Sequence, residues 1–263
     1  MARIGAKSRD TIEPSVLNRL NLGTEESASL SEALAVDFGI LLGHVVPSVT
    51  PEEQQRVTNA AGLGFKKRMN LAATVLVEHL GNNAAELLQQ HPSDTARGWA
   101  AFVIGNSDYL SLGEKLSAVR SLADDRHFGV REWAWLALRP AIAADLTQAL
   151  VWLLPWAMSE SENIRRFAIE ATRPRGVWSK HIQKLKESPA MGQVLLNEVM
   201  EDSSRYVQDS CGNWLNDAAK SNPQWVVDFC AQWQEKSSSV ATSYIIKRRI
   251  YPRNKGCGVA TPP

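Results

Sequence analysis

Apolar residues recur at every third or fourth position along most of the chain, which is the period of an α-helix. Leu30, Leu34 and Phe38 show this spacing near the start, and Leu195 and Val199 show it much later. Strict alternation of apolar and polar residues, which marks a β-strand, is hard to find. The chain is therefore predicted to be all-α, with helices of roughly ten to eighteen residues.

Prolines lie between these apolar stretches, where they are predicted to end one helix or begin the next. They stand at positions 47, 51, 92, 140, 155, 174, 189 and 223. The predicted architecture is a series of helices joined by short connections.

Four segments share one pattern: a polar turn, a β-branched residue and then an apolar run. We call the β-branched residue the anchor of its helix. The anchors are Val130, Ile164, Val207 and Val240, which are separated by 34, 43 and 33 positions. A period in the tens of residues is typical of helical-pair repeats, which cannot bury their apolar faces singly and therefore stack.

The predicted fold is thus a set of HEAT-like helical-pair repeats stacked into a curved solenoid. We expect a single repeat domain over residues 1–250, followed by a basic, disordered tail over residues 251–263. The inner helices of such an array line one long concave surface.

Charge is distributed unevenly along the chain, although the net charge is only +1. Between residues 160 and 186, seven Lys and Arg against three Glu leave a local balance of +4. Residues 247–255 contain five basic side chains and no acid. Charge concentrated on one face can bind a polyanion even when the total is close to zero.

The sequence carries few signals for cofactors or compartments. Its three cysteines show no C-x-x-C spacing, so neither a disulfide framework nor a zinc site is expected. Phosphate-binding loops and the common protease and hydrolase motifs are absent from the sequence. With no signal peptide and no apolar run near the ~20 residues of a membrane span, we expect a cytoplasmic monomer without cofactor, metal or membrane partner.

Three carboxylates fall at related positions on three successive inner helices. Glu132 is two residues after its anchor, Glu170 six and Asp217 ten. Steps of four residues return to nearly the same helix face, and stacked helices lie ~8–10 Å apart, so the three groups are predicted to surround one site. Each stands in an apolar run, where an unpaired acid is costly. The alternatives are a solvated acid, or a packing role beside Arg131, Arg166 or Arg173.

Trp178 follows a loop that leaves the helix of Glu170 and carries Arg173 and Arg175. An indole face at this point could meet a cationic base or a deoxyribose, and the two arginines could hold backbone phosphates. The alternative for Trp178 is a cap over the end of the helix.

Taken together, several segments resemble the AlkC/AlkD superfamily of bacterial DNA alkylation repair proteins, and the AlkC branch in particular. No single motif carries the resemblance, but the segments occur in the family's order. The matching segments are residues 30–37, 91–99, 127–135, 163–175 and 206–220.

The resemblance implies a DNA glycosylase that hydrolyses the N-glycosidic bond of cationic alkylated bases in double-stranded DNA, as the first step of base excision repair. The family's substrates imply 3-methyladenine, with 3-methylcytosine or 7-methylguanine as further candidates. A bacterial, nucleoid-associated location is also implied. The family's acidic positions fall on Glu132, Glu170 and Asp217, and its aromatic position falls on Trp178.

The resemblance also implies roles for these residues. Asp217 is expected to stabilise the sugar cation and to orient water. Glu132 and Glu170 are expected to contribute a negative electrostatic field and hydrogen bonds near the damaged base, and Trp178 is expected to form an aromatic wall. The residues expected to contact DNA are Arg165, Arg166, Arg173, Arg175, Lys220 and Trp214.

The chain departs from the family pattern at three places. Trp214 stands where Asn is more usual, and Gly176-Val177 replaces a Leu-Pro pair. The last helix is predicted to break after Ile246, and no immunoglobulin-like domain is expected beyond it. Two other classes of function stay open: a HEAT-like protein that binds DNA structure without catalysis, and a protein-interaction scaffold.

Overall fold

A computed structural model of the chain describes residues 3–176 and 178–250, apart from the side chains of residues 82, 249 and 250. The described residues form α-helices and short 3₁₀ turns without a strand, so the predicted all-α class is confirmed. The predicted tail over residues 251–263 lies outside the described residues. None of the described helices is long and apolar enough to cross a membrane.

The chain divides into two compact units at Ala144 and Asp145. The sequence predicted one repeat domain over residues 1–250; each unit is described here by itself. The helices of the first unit are α1 (Pro14–Asn21), α2 (Leu30–Ala35), α3 (Phe38–Val45), α4 (Pro51–Asn59), α5 (Phe65–Leu80), α6 (Ala84–Leu88), α7 (Asp94–Asn106), α8 (Leu112–Ala123) and α9 (Phe128–Ala144).

The second unit continues the same helical pattern. Its helices are α10 (Leu146–Ala157), α11 (Glu162–Ala171), α12 (Gln183–Glu187), α13 (Gln193–Glu198), α14 (Arg205–Ala219), α15 (Pro223–Lys236) and α16 (Val240–Ile250). The 3₁₀ turns of the two units are Arg9–Thr11, Ala60–Gly62, Gly81–Asn83 and Pro189–Gly192.

Each unit is a stack of helix pairs. In the first, α7 packs between α5 and α9, and α8 covers α9. In the second, α14 packs between α11 and α16, with α10 against α11 and α15 against α14. The predicted helical-pair repeat is therefore present in both units, with α7, α9, α11, α14 and α16 as its inner helices.

Three of the four predicted anchors occupy the same place in their helices. Val130, Ile164 and Val207 are the third residues of α9, α11 and α14, and each is at most 1% exposed. The fourth anchor is wrong, because Val240 is the first residue of α16 and is 82% exposed. Thr242 takes the third position, buried with its hydroxyl donating to the carbonyl oxygen of Met200 at 3.0 Å.

The structure also adds a repeat that the sequence pattern did not reveal. Ala96 is the buried third residue of α7 and stands 34 positions before Val130. Alanine is not β-branched, so a search for a polar turn followed by a β-branched residue did not detect this repeat.

Two prolines lie inside helices instead of between them. Pro140 is in α9 and Pro155 is in α10, which corrects the prediction for both positions. A proline inside a helix costs about 3 kcal/mol, and the buried apolar residues on these two helices offset that cost. α16 likewise continues to Ile250, so the predicted break after Ile246 is wrong.

Aromatic side chains pack against one another in the core of the second unit. Ring centroids lie 6.1 Å apart for Trp214 and Trp225, 4.8 Å for Trp225 and Phe229, and 4.7 Å for Phe229 and Trp233. The first of these contacts joins α14 to α15, and the other two lie within α15.

An arginine joins neighbouring repeats in the same way in each unit. The fourth residue of α11, Arg165, binds both carboxylate oxygens of Asp202 at 2.6 and 2.9 Å, just before α14. Its Nη1 also donates to the carbonyl oxygens of Ser159 and Glu160 at 2.9 and 2.8 Å, in the turn before α11. We call this arrangement the arginine clamp.

The clamp of the first unit uses equivalent positions. Arg97, the fourth residue of α7, binds both oxygens of Asp125 at 2.8 and 3.1 Å, before α9. Its Nη1 donates to the carbonyl oxygens of His91 and Pro92. The carboxylate of each clamp also accepts a backbone N–H two residues later in its own turn, from His127 in this unit. One guanidinium thus satisfies turn groups in two successive repeats.

Replacing Arg165 is expected to destabilise the protein. Arg165→Met leaves the buried Asp202 carboxylate without its main partner and should lower the free energy of unfolding by about 3 kcal/mol. Arg165→Lys should recover less than half of this loss, because an ammonium cannot bind the carboxylate with a two-pronged fork. Urea unfolding measures both, with the exposed Lys236→Met as control. Full recovery by lysine would show that charge alone matters.

Candidate active site

Two of the predicted carboxylates meet around one arginine in the second unit. Nη1 of Arg173 donates to Oε1 of Glu170 at 2.6 Å, and its Nε donates to Oδ2 of Asp217 at 2.9 Å. A second arm, Nη2, lies 2.8 Å from the same Asp217 oxygen. The sequence prediction that Glu170 and Asp217 lie together is therefore correct, and their link is a guanidinium.

The positions of the two acids follow from the repeat. Glu170 is in the last turn of α11 and Asp217 is in the last turn of α14, and these helices pack side by side. The carboxyl end of a helix carries partial negative charge, so an anion there needs a cation nearby. Arg173, just beyond the end of α11, supplies it to both acids.

Glu170 is almost completely buried but remains ionised. Burial by itself raises the pKa of Glu170, but Arg173 and Arg166 outweigh burial and hold that pKa below its ordinary value of 4.5. A hydrogen bond with Ser210 acts in the same direction. Nη2 of Arg166 lies 3.8 Å from Oε2 of Glu170, so both ends of the carboxylate face a guanidinium.

Asp217 has a second, more exposed partner. Nζ of Lys220 donates to Oδ1 of Asp217 at 3.0 Å. The Lys220 side chain is 58% exposed, whereas that of Asp217 is 4% exposed. Next to it, Nη2 of Arg175 donates to the hydroxyl of Ser221 at 2.7 Å. The two basic side chains therefore form a cationic rim on this part of the second unit.

Trp178 stands in the loop between α11 and α12, as predicted, and its ring is 46% exposed. Its φ of 57° lies in the left-handed region, which costs a non-glycine residue about 1 kcal/mol or more. Strain of this kind is common at functional sites. Val177 lies outside the described residues.

Glu132 belongs to the first unit, on α9. It is half-buried and accepts a hydrogen bond from Nε1 of Trp135 at 2.8 Å. The structure thus brings two of the three predicted acids together, and the contribution of Glu132 to a common site stays a prediction.

Trp214 is a core residue, which corrects its predicted contact with DNA. Its side chain is wholly buried, and Nε1 donates to the carbonyl oxygen of Thr172 at 3.0 Å. That carbonyl directly precedes Arg173. A Cβ on Gly192 would lie 2.4 Å from the Trp214 ring, so the indole fills the space beside this glycine. Trp214 therefore fixes the backbone that carries Arg173.

Two of the predicted phosphate contacts are also corrected. Arg165 is occupied by the arginine clamp, with Nε, Nη1 and Nη2 all bonded within the protein. Arg173 lies between the two acids, with its side chain only 13% exposed. The contacts of Arg175 and Lys220 stay predictions. So does the contact of Arg166, whose side chain is 12% exposed and faces Glu170.

The structure adds two residues to the site that the sequence pattern did not single out. Ser210 bonds to Glu170, and the guanidinium of Arg166 lies 4.2 Å above the ring of Tyr206. Tyr206 directly precedes the anchor Val207, so its place in the repeat was a usable signal. Within residues 3–176 and 178–250, no group of His, Cys, Asp and Glu forms a metal-binding cluster.

Comparisons with solved structures define the class of the fold. The chain is similar to a Pseudomonas fluorescens alkylpurine DNA glycosylase, AlkC, bound to DNA containing an abasic site analogue. That match has a TM-score of 0.66 and 20% identity, over 91% of this chain and 64% of that one. It is also similar to AlkD2 from Streptococcus mutans, with a TM-score of 0.56 and 23% identity, over 75% of this chain and 97% of that one. The chain therefore shares the helical-repeat fold of these two proteins.

Sequence comparisons match part of the chain to one family. Residues 130–248 match the DNA alkylation repair enzyme family. The uncharacterized protein YhaZ of Bacillus subtilis is 31% identical over 161 residues, which cover 59% of this chain and 43% of that protein. The chain thus spans less than half the length of this relative. Over residues 130–248, the family match confirms the resemblance to DNA alkylation repair proteins inferred from the sequence.

The depressed pKa of Glu170 leads to a prediction about acid stability. As the pH falls below 4.5, the unfolded chain takes up a proton at this position before the folded chain does, so Glu170 stabilises the fold above that pH and the stabilisation is lost below it. Glu170→Gln should be less stable than wild type at neutral pH. Its free energy of unfolding should fall less between pH 5 and pH 3, with a slope against pH that is smaller by roughly the contribution of one proton. Urea unfolding across this range measures the slopes. Parallel curves for variant and wild type would contradict the prediction.

Proposed function

We propose that the protein is a DNA glycosylase that hydrolyses the N-glycosidic bond of cationic alkylated bases. The observation that carries the proposal is the pair of buried carboxylates held by Arg173, beside a cationic rim. The match of residues 130–248 to the DNA alkylation repair enzyme family supports it. The candidate lesions are 3-methyladenine, 3-methylcytosine and 7-methylguanine.

The chemistry suits such a site. In an N-alkylated base the positive charge makes the base a good leaving group, so its departure requires little proton donation. The C1′–N bond breaks, its electron pair leaves with the base and neutralises it, and the sugar becomes an oxocarbenium-like cation. A water oxygen then bonds to C1′ and releases a proton. A fixed negative charge beside C1′ lowers the barrier because it stabilises the developing cation.

Asp217 is the proposed catalytic residue. Arg173 holds its Oδ2 with two donors, whereas the partner of Oδ1 is the more exposed Lys220, so Oδ1 is the oxygen proposed to face a sugar or a water. Glu170 acts through Arg173, whose other arm it binds, and is therefore a positioning residue. Trp178 is proposed as an aromatic wall against the cationic base. Glu132 keeps its predicted role as a further carboxylate, and Glu132→Gln tests it in the same assay.

DNA is the proposed macromolecular partner. AlkC, a structural relative, is bound to DNA containing an abasic site analogue. In this chain we assign phosphate contacts to Arg175 and Lys220, which form the cationic rim. The predicted contact of Arg166 stays a prediction, because its side chain is 12% exposed and faces Glu170. Contacts of this kind give affinity that falls with salt and do not select sequence.

One observation favours a second candidate, a DNA-structure-binding protein without catalysis. In the structure Asp217 is paired on both oxygens, by Arg173 and by Lys220. A carboxylate neutralised on both sides could be a structural element alone. The two candidates differ in a single measurable property, excision of the damaged base.

Asp217→Asn should reduce the single-turnover rate of base excision about 10²–10³-fold, as expected when one electrostatic stabiliser of a transition state is removed. The measurement is release of 3-methyladenine from methylated duplex DNA, repeated with 3-methylcytosine and 7-methylguanine. Asp228→Asn, which changes an exposed acid on α15, is the matched control. A folded, DNA-binding Asp217→Asn protein that excises at the wild-type rate would exclude the catalytic role. A wild-type protein that binds DNA but excises none of the three bases supports the second candidate.

Arg175→Met is expected to weaken DNA binding at low salt and to make the slope of log K against log [salt] shallower by about 1, because one phosphate contact is lost. Titrations of an undamaged duplex at several salt concentrations give the slope. Lys236→Met, which removes an exposed cation from α15, should keep the wild-type slope. Equal slopes for wild type and Arg175→Met would remove Arg175 from the interface.

A further inference from the structure

The two oxygens of Asp217 are held in different ways. Oδ2 is bound by Arg173, which is 13% exposed and is held in turn by Glu170. Oδ1 is bound by Lys220, whose side chain enters from solvent and is 58% exposed. Within the described part of the chain, Arg173 and Lys220 are the partners of this carboxylate.

Counting charges shows what Lys220 does to the site. Glu170 and Asp217 carry two negative charges, and Arg166, Arg173 and Lys220 face them with three positive ones. With that balance the site carries a net charge of +1, and it becomes neutral when one cation leaves. Departure of the cation bound to Oδ1 therefore uncovers that oxygen, so that its negative charge can stabilise positive charge at C1′.

Lys220 is the cation that can leave at the lowest cost. Arg173 is mostly buried and bridges two acids, so its removal would leave buried charges unpaired. A half-exposed ammonium paired with one carboxylate is held weakly, because water screens the pair and solvates the freed ammonium. A DNA phosphate offers the ammonium an equivalent anionic partner.

We propose that Lys220 masks Oδ1 of Asp217 in the DNA-free protein and moves to a backbone phosphate when DNA binds. The proposal rests on the function proposed for Asp217 and deepens it. The adjacent residue is fixed, because Ser221 accepts a hydrogen bond from Arg175 at 2.7 Å. A phosphate at this rim therefore meets both basic side chains, and its arrival frees Oδ1 in the same step.

The consequence is that the charge of Asp217 becomes available only on a polynucleotide. A free alkylated nucleoside brings a cationic base but no phosphate, so it meets a masked carboxylate. Duplex DNA brings both, and the exchange of Lys220 couples backbone binding to the electrostatics of the reacting centre.

The test uses a probe that carries the cation without the phosphate: a pyrrolidine nucleoside analogue, protonated at the ring nitrogen in place of the sugar cation. Lys220→Met should bind it about two- to five-fold more tightly than wild type, the factor expected for release of one exposed ion pair. Lys220→Arg and the control Lys236→Met should bind it as wild type does. Calorimetry or ligand-observed NMR measures the affinities.

A second pair of variants isolates Asp217. In an Asp217→Asn background, Lys220→Met should give no gain in affinity for the analogue, because there is no carboxylate to unmask. Absence of tighter binding by Lys220→Met overturns the masking role. A gain that persists in the Asp217→Asn background also overturns it, because the gain then arises from something other than Asp217.

Failure of the masking role and failure of the proposed function can be told apart. Wild-type excision of alkylated bases together with unchanged affinity of Lys220→Met for the analogue removes the masking role alone. Absence of wild-type excision removes the glycosylase proposal, and tighter binding of the analogue by Lys220→Met still supports masking of Asp217.

Discussion

The arginine clamp is the interaction on which the arrangement of each unit depends. Turns between helices carry carbonyl and N–H groups that need partners when they are buried, and two successive turns share one guanidinium in each clamp. In the second unit, Arg165 joins the turn before α11 to the turn before α14. Those are the helices that carry Glu170 and Asp217, so the clamp sets the relation between the two acids from one end while Arg173 joins them at the other.

The sequence predicted the fold class, three anchors and the pairing of two acids, because these follow from periodicity. The repeat at α7 escaped because its anchor position holds Ala96, and the fourth anchor was misplaced because the exposed Val240 looks apolar where Thr242 is the buried residue. Propensity placed Pro140 and Pro155 outside helices, although packing keeps them inside. Local patterns indicate which residues can be buried, and only the packed helices decide which are.

The sequence predicted that the acids of the site lie together, but it did not predict which cations pair with them. Spacing placed Glu170 and Asp217 on one face, but it does not reveal that Arg173 turns back from the loop to bind both. Basic residues were therefore assigned to DNA as a group, although Arg165 and Arg173 are used within the protein. Trp214 was also assigned to DNA, whereas in the fold it donates a hydrogen bond to the carbonyl before Arg173. A pairing across 40 or more residues needs the tertiary structure.

The longest interval between anchors, 43 positions from Ile164 to Val207, shows where this architecture accepts change. The additional residues form α12, the turn Pro189–Gly192 and α13 in place of a single outer helix. The clamp from Arg165 to Asp202 spans this longer segment. Its hydrogen bonds are the same as those that Arg97 makes to Asp125 across a shorter segment. The outer layer can therefore gain or lose segments during evolution while the inner helices keep their register, so new surface can be acquired without altering the acids that α11 and α14 present.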